Sequence, residues 1–277
     1  MEAGDIDVVH AVTVRTFDDL DRRSGRPPSP GPSLAQSHVR FRRLLASDPG
    51  GAWVAERGGE IIGSALALVR EGLWGLSLLV VRPDAQSDGI GRELLARAHA
   101  YGNGVRGRVV LASNDPRALR SYARLGLTLN PATSARGRPK PGPVPPEVRP
   151  GTPADLPLTA AVDRAVRGAA HGDDLPALLE AGHELLVLPE RGYAVVRDGA
   201  VKLLAAYDES AAATLLRAAL ASAADGEATV EWITGAQAWA IGPCLDAGLE
   251  LRIDMGAVFV AGDVGRFAPY LPNGAYI

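Results

Sequence analysis

Gln86-Ser87-Asp88-Gly89-Ile90-Gly91-Arg92 follows the apolar run 73–81 (LWGLSLLVV) and the tripeptide Val81-Arg82-Pro83, and it opens a pattern in which Leu94 and Leu95 are the first apolar pair. The continuous apolar run reads as a buried strand, and the spacing after Gly91 reads as a helix. A strand that passes through a glycine loop into a helix N-terminus gathers several backbone N–H groups at the positive end of the helix dipole. With no Cβ in the way, a phosphate can approach the main chain there. The same residues also suit a plain strand-to-helix turn, and the loop alone does not separate the two readings.

Outward from this loop the chain alternates between two periods. Residues 7–21 carry Val8, Val12, Phe17 and Leu20 at helical spacing, a Pro/Gly/Ser-rich loop covers 24–37, and a second helix is expected over 38–46. Residues 52–56, the turn Arg57-Gly58-Gly59, and the runs 61–70 and 73–81 then read as a three-strand antiparallel meander. Beyond the loop a helix over 91–101, a strand over 108–112, a helix over 116–125 and a strand near 127–130 complete an α/β unit with a mixed sheet.

The second half repeats the plan. The hairpin of residues 193–197, Asp198-Gly199 and 201–206 mirrors the first one, and Leu111, Ala118, Tyr122, Gly126 and Leu127 stand at one constant offset from Ile233, Ala240, Cys244, Gly248 and Leu249. Between the halves, residues 131–150 are rich in proline and free of periodicity, which marks a linker. The expected organisation is two tandem copies of one α/β (α+β mixed-sheet) fold. A domain over 1–135 and a domain over 147–277 are joined by a Pro-rich linker over 136–146. Glu147-Val148-Arg149 is a first strand for the second copy, whereas almost nothing precedes the matching Gly4-Asp5-Ile6 of the first.

The loop resembles motif A of the GCN5-related N-acetyltransferase (GNAT) superfamily, Gln/Arg-x-x-Gly-x-Gly/Ala after a strand ending Val-x-Pro. The segment Asn114-Asp115-Pro116-Arg117-Ala118-Leu119-Arg120-Ser121-Tyr122-Ala123-Arg124-Leu125-Gly126-Leu127 is similar to motif B, with Leu127 in the usual aromatic place. Order and spacing agree over about residues 5–130, while the second copy agrees in layout only. The resemblance implies two tandem GNAT-like domains, the first of them active. It implies that the amides of Gln86, Ser87, Asp88, Gly89, Ile90, Gly91 and Arg92 hold the pyrophosphate of acetyl-CoA, and that the backbone of Leu79, Val80 and Val81 pairs with the pantetheine. Asn114 then bonds the pantetheine amides, the amide near Leu79 stabilises the developing oxyanion, and Tyr122 is the catalytic acid. A phenol with an unperturbed pKa of ~10 stays protonated at neutral pH and can donate to a departing thiolate. The implied reaction is acetyl transfer to a primary amine of a small molecule or peptide. A silent acyl-CoA-binding or sensing protein, and transfer of a bulkier acyl group such as succinyl, are the alternatives.

Asp88 departs from the family pattern, because a carboxylate beside a pyrophosphate repels it; Arg82 and Arg92 are expected to offset the charge. The general base stays open among Glu71, Ser77 through an ordered water, Asp115 and the carboxylate of the apolar chain end 267–277. In the second copy the loop is Asp208-Glu209-Ser210-Ala211, anionic and without glycine, and Cys244 takes the place of Tyr122 as a small buried residue. His10, His38, His99, His171 and His183 show no ligand spacing, so surface or capping roles are expected, and no metal site.

A net charge of −3 gives no nucleic-acid footprint. Uncharged runs such as 72–81 and 232–245 are too short to cross a bilayer, and no basic apolar leader opens the chain. A single cysteine excludes an intrachain disulfide. The expectation is a cytoplasmic bacterial protein, monomer or homodimer, binding neither nucleic acid nor membrane. All but two of the 29 basic residues, Lys140 and Lys202, are arginine, a bias of a GC-rich genome that carries no function.

Overall fold

Ile6, Val9, Val12 and Leu20 are buried along one face of helix α1 (Ile6–Arg23), whereas Val8 and Phe17, expected with Val12 and Leu20, are exposed. The computed structural model describes residues 1–25, 31–223 and 226–277, so the centre of the expected 24–37 loop, residues 26–30, lies outside the described residues. Helix α2 (Leu34–Ser47) starts earlier than its apolar spacing suggested. Ser33 caps it: the Ser33 hydroxyl accepts from Gln36 N at 3.3 Å and Gln36 Oε1 accepts from Ser33 N at 2.8 Å.

The chain forms two compact units, one of residues 1–69, 74–105 and Tyr276, the other of residues 70–73, 106–275 and Ile277. In the first, β1 (Ala52–Arg57), β2 (Glu60–Arg70) and β3 (Leu73–Val81) lie in that order, with α3 (Ile90–Tyr101) after them. Gly58 and Gly59 both take positive φ, 60° and 81°, the conformation a two-residue hairpin turn requires. The core holds Ile6, Phe41, Leu44, Leu66, Leu68 and Trp74, and the Trp74 indole donates to the Ala98 carbonyl at 2.9 Å.

In the second unit, β4 (Gly107–Ala112), α4 (Pro116–Arg124), β5 (Thr128–Pro131) and β6 (Thr133–Gly137) are followed by β7 (Arg149–Pro150), α5 (Leu156–Arg167), α6 (Asp174–Glu180), β8 (Glu184–Leu188), β9 (Gly192–Arg197) and β10 (Ala200–Ala206). Helix α7 (Glu209–Ala221), β11 (Ala228–Ile233), α8 (Ile241–Asp246), β12 (Glu250–Arg252), β13 (Ala257–Gly262) and β14 (Tyr270–Leu271) complete it. The meander, both hairpins and, apart from the earlier start of α2, the helices of the first half lie where the periodicity put them. The expected linker does not stay irregular throughout, because Thr133–Gly137 is a strand.

Two strands are exchanged along the sequence. β13 lies between β4 and β5 and is antiparallel to both, Phe259 opposite Val110 and Leu129. β6 lies between β11 and β12, with Ala135 opposite Val230 and Leu251. The full order around β6 is β12-β6-β11-β10-β9-β8-β7, with β14 attached to β10. The architecture is mixed α/β, and β13 and β6 each sit between strands that lie far from them in the sequence.

Candidate active site

The loop between β3 and α3 is built by two left-handed residues. Ser87 (φ 77°) and Gly89 (φ 84°) turn the chain sharply after β3, and α3 begins at Ile90 with Gly89 as its N-cap. A glycine holds that conformation without strain. It also supplies no capping oxygen, so no side chain satisfies the first-turn amides of α3. Gln86 braces the loop from behind, its Nε2 donating to Val81 O at 2.8 Å. Arg92 stands over the glycine: a Cβ there would lie 3.6 Å from Arg92 Nη2. Arg92 is exposed and makes no ion pair among the described residues. Along β3 every residue is buried except Leu79, which opens the strand at the point where the resemblance puts the oxyanion amide.

The charge of Asp88 is offset by a residue that the sequence did not single out. Arg57 Nη2 bonds Asp88 Oδ2 at 2.8 Å, whereas Arg82 is engaged by Glu60 and Asp84, both at 2.9 Å, and Arg92 has no ion-pair partner among the described residues. Arg57 sits at the end of β1, and nothing in the local sequence links a hairpin arginine to a loop 31 residues away.

In the second unit, Asn114 follows β4 and Tyr122 lies on α4. The Asn114 Oδ1 atom is buried and has no hydrogen-bond partner, an arrangement proteins rarely leave without a ligand or water to satisfy it. Gly256 fixes this corner, because a Cβ there would collide with the Ala112 carbonyl and stand 2.8 Å from Asn114 N. Tyr122 is 5% exposed and packs edge-on against Phe259 of β13, ring centroids 5.6 Å apart. Burial, and then the field of Asp115, push the Tyr122 pKa above that of an ordinary phenol. The hydroxyl makes no hydrogen bond among the described residues and stays protonated. Gly256 and Phe259 therefore back both motif B residues, although they lie far away in sequence.

The four candidate bases are engaged elsewhere. Glu71 accepts from Arg164 Nε at 3.0 Å, from Arg164 Nη2 at 2.6 Å and from Ala170 N at 3.2 Å; these bonds hold its carboxyl below its ordinary value and make it a weak base. Asp115 caps α4 through Arg117 N at 2.9 Å and pairs with the Arg117 guanidinium at 2.6 Å. Ser77 accepts from the Arg40 guanidinium at 2.7 Å. At the chain end, the backbone oxygen of buried Ile277 accepts from Arg167 Nη2.

The second copy is filled from within the chain. At its helix N-terminus the Asp208 carboxylate caps α7, accepting from Ala211 N at 2.9 Å, and is itself paired with Arg191 at 2.8 Å. Its β10 and β11 run parallel for only two residue pairs, Ala200–Thr229 and Val201–Val230, and further along β10 the tail strand β14 pairs antiparallel, Leu204 opposite Leu271. Gln237, in the turn after β11, donates to Phe267 O of the tail at 2.7 Å. Cys244 is fully buried in the apolar core, and burial pushes its thiol up to about 12.

His171 is a correction to the histidine reading. It is 1% exposed, with Nδ1 2.8 Å from Asp163 Oδ2 and Nε2 3.2 Å from the Tyr270 hydroxyl, so it is a core residue rather than a surface or capping one. Among the described residues no group of three or more His, Cys, Asp or Glu is placed to hold a metal ion, and no helix is long and apolar enough to cross a membrane.

Residues 48–127 match the family model of the GNAT acetyltransferase domain, the stretch that carries both the loop and Tyr122. The chain carries a GNAT domain. A candidate acetyltransferase from Pyrococcus horikoshii has the same fold at a TM-score of 0.79 and 18% identity, over 100% of this chain and 94% of that one. A GCN5-related N-acetyltransferase from Sphaerobacter thermophilus aligns at 0.58 and 14% identity, over 95% and 94%. A tandem GNAT protein from the clavulanic acid biosynthesis pathway aligns at 0.57 and 15% identity, over 95% and 97%. No curated protein sequence matches the chain.

Proposed function

We propose that this GNAT acyltransferase moves an acetyl group from acetyl-CoA to a primary amine of a small molecule or peptide, using its first copy, and that residues 147–277 form a degenerate second domain. The observation that carries the reading is the α3 N-terminus: uncapped by any side chain, turned by Gly89 and faced by the unpaired Arg92, it suits a pyrophosphate. The orphaned Asn114 oxygen adds an acceptor suited to a pantetheine amide N–H. When bound, acetyl-CoA supplies an electrophilic thioester carbon. The loop amides orient it, the Leu79 region offers an N–H to the developing oxyanion, and the amine nitrogen bonds to carbon as the C–S bond breaks. Tyr122 gives its proton to the sulfur, and the proton lost by the amine regenerates the phenol through solvent.

In the second domain each corresponding feature is taken by the protein itself. Asp208 occupies the helix N-terminus, β14 lies along β10 beyond its parallel pairing with β11, and Gln237 grips the tail. One acetyl-CoA per chain follows. The engagement of Glu71 and Asp115 in ion pairs favours a second reading, a protein that binds acyl-CoA without turnover. Titration calorimetry with acetyl-CoA and a thiol-release assay over an amine panel test both readings, with Tyr122→Phe as the comparison. For the enzyme, turnover falls by about a hundredfold while acetyl-CoA affinity is kept. For the silent binder, wild type and variant bind equally and neither releases thiol.

A further inference from the structure

Arg40 lies on α2, one helical turn beyond Ser37, and its guanidinium reaches the middle of β3. Nε is 3.2 Å and Nη2 2.7 Å from the Ser77 hydroxyl oxygen, and Nη2 also donates to the Ser77 carbonyl. Ser77 is 6% exposed, so the head of Arg40 is drawn in against the strand while the residue as a whole is half-buried. Nη1 makes no hydrogen bond, and no carboxylate comes within ion-pair reach of Arg40 among the described residues. Burial lowers its pKa to about 10, opposed only by the field of the Tyr276 phenol.

A guanidinium withdrawn from water is costly unless an anion compensates it. Other arginines with buried heads in this chain have one: Arg70 is paired with Asp174 at 2.6 Å, and Arg167 lies in the field of the buried Asp163 carboxylate. For Arg40 the compensating charge has to come from outside the chain. Its position says which molecule brings it. Ser77 and Leu79 lie on the same face of β3, roughly 7 Å apart at the ordinary strand rise, and Leu79 is the open position where the acyl carbon sits on the reading above.

We infer that Arg40 binds a carboxylate carried by one of the two substrates, close to the reacting carbon. The inference rests on the proposed acyl-transfer site. A planar fork with one free edge suits a carboxylate, and the two sources of that group are the distal end of a dicarboxylic acyl thioester and an acid function on the amine acceptor. Arg40 is then a specificity-determining residue, and Ser77 holds it in place.

The two sources are separated by two arms run on the full chain. In the first, acetyl-CoA and succinyl-CoA are titrated calorimetrically; in the second, acetyl transfer to β-alanine and to γ-aminobutyrate is compared with transfer to their amides. The expected result is a preference of about tenfold or more for the carboxylate-bearing member in one arm, as one charge-assisted hydrogen-bonded pair supplies. Arg40→Met abolishes that preference, and Arg40→Lys, which keeps the charge but not the fork, retains part of it. Binding of acetyl-CoA with no carboxylate preference in either arm, or a preference that survives in Arg40→Met, overturns the role of Arg40 alone. Failure of the wild type to bind acetyl-CoA overturns the acyl-transfer site together with it.

Discussion

The N-termini of α3 and α7 begin from the same repeat and end as opposites. The first has a left-handed glycine at its cap, no side-chain oxygen on its amides and an unpaired arginine above it. The second starts at Asp208, whose carboxylate takes the amides and whose charge is closed by Arg191. A helix N-terminus has a fixed number of free donors, so a carboxylate that caps it competes with an anionic ligand for them and repels its charge. The strands that feed the two helices differ in the same sense. Leu79 interrupts the burial of β3, whereas Leu204 and Ala205 of β10 carry the tail strand β14. One copy keeps its backbone donors available, and the other has spent them on its own chain.

Substitutions at the two caps separate these states. Gly89→Glu puts a side chain at φ 84° and a carboxylate into the open loop, and acetyl-CoA affinity measured by calorimetry is expected to fall by at least tenfold with the fold retained. In the filled copy, Gln237→Leu strips the buried Phe267 carbonyl of its donor and is expected to destabilise the protein by about 2 kcal/mol in denaturant unfolding, with the acetyl-CoA stoichiometry unchanged. Asp208→Ala removes a helix cap and is expected to cost about 1 kcal/mol, again with one acetyl-CoA per chain. A second binding event in either variant breaks the comparison, because it shows a working groove behind the plug.

The smallest effect concerns acid. Both copies open with a capping turn, Glu2 to Asp5 and Thr152 to Asp155, but only Asp155 has an arginine on it, Arg149 at 2.6 Å. Hydrogen bonds from Arg149, and then from Thr152, hold the Asp155 carboxyl well below the usual carboxylate range. Its contribution to stability is therefore complete above the unfolded value of about 3.9 and is lost as the pH falls through the lower folded value. Asp155→Asn is expected to lower the melting temperature slightly at pH 7 and to flatten its decline below pH 4, read from thermal unfolding across that range.

Local pattern made the individual elements legible. The short apolar runs in residues 52–81 gave the meander, Gly58-Gly59 and Asp198-Gly199 gave the hairpin turns, and a strand-glycine-helix order gave the loop that suits an anion, because each depends on residues within a few positions of one another. The early start of α2 was legible too, in Ser33 and Gln36, though its weak apolar spacing hid it. The constellation around Asn114 and Tyr122 was readable as residues but not as a site, since Gly256 and Phe259, which brace it, come from β13.

What the sequence determined by itself is the repeat, the class of fold, the loop that suits an anion and the loss of that loop in the second copy, all carried by residue type and short spacing. What only the tertiary structure decided is which strand completes which sheet and which charge meets which. β13 between β4 and β5, β6 between β11 and β12, Arg57 on Asp88 and Arg40 on Ser77 join positions that are distant in the chain. A β-strand's apolar residues fit many partners equally well and a surface arginine can reach many carboxylates. The choice among them is made by the free energy of the whole packed chain, which local sequence does not contain.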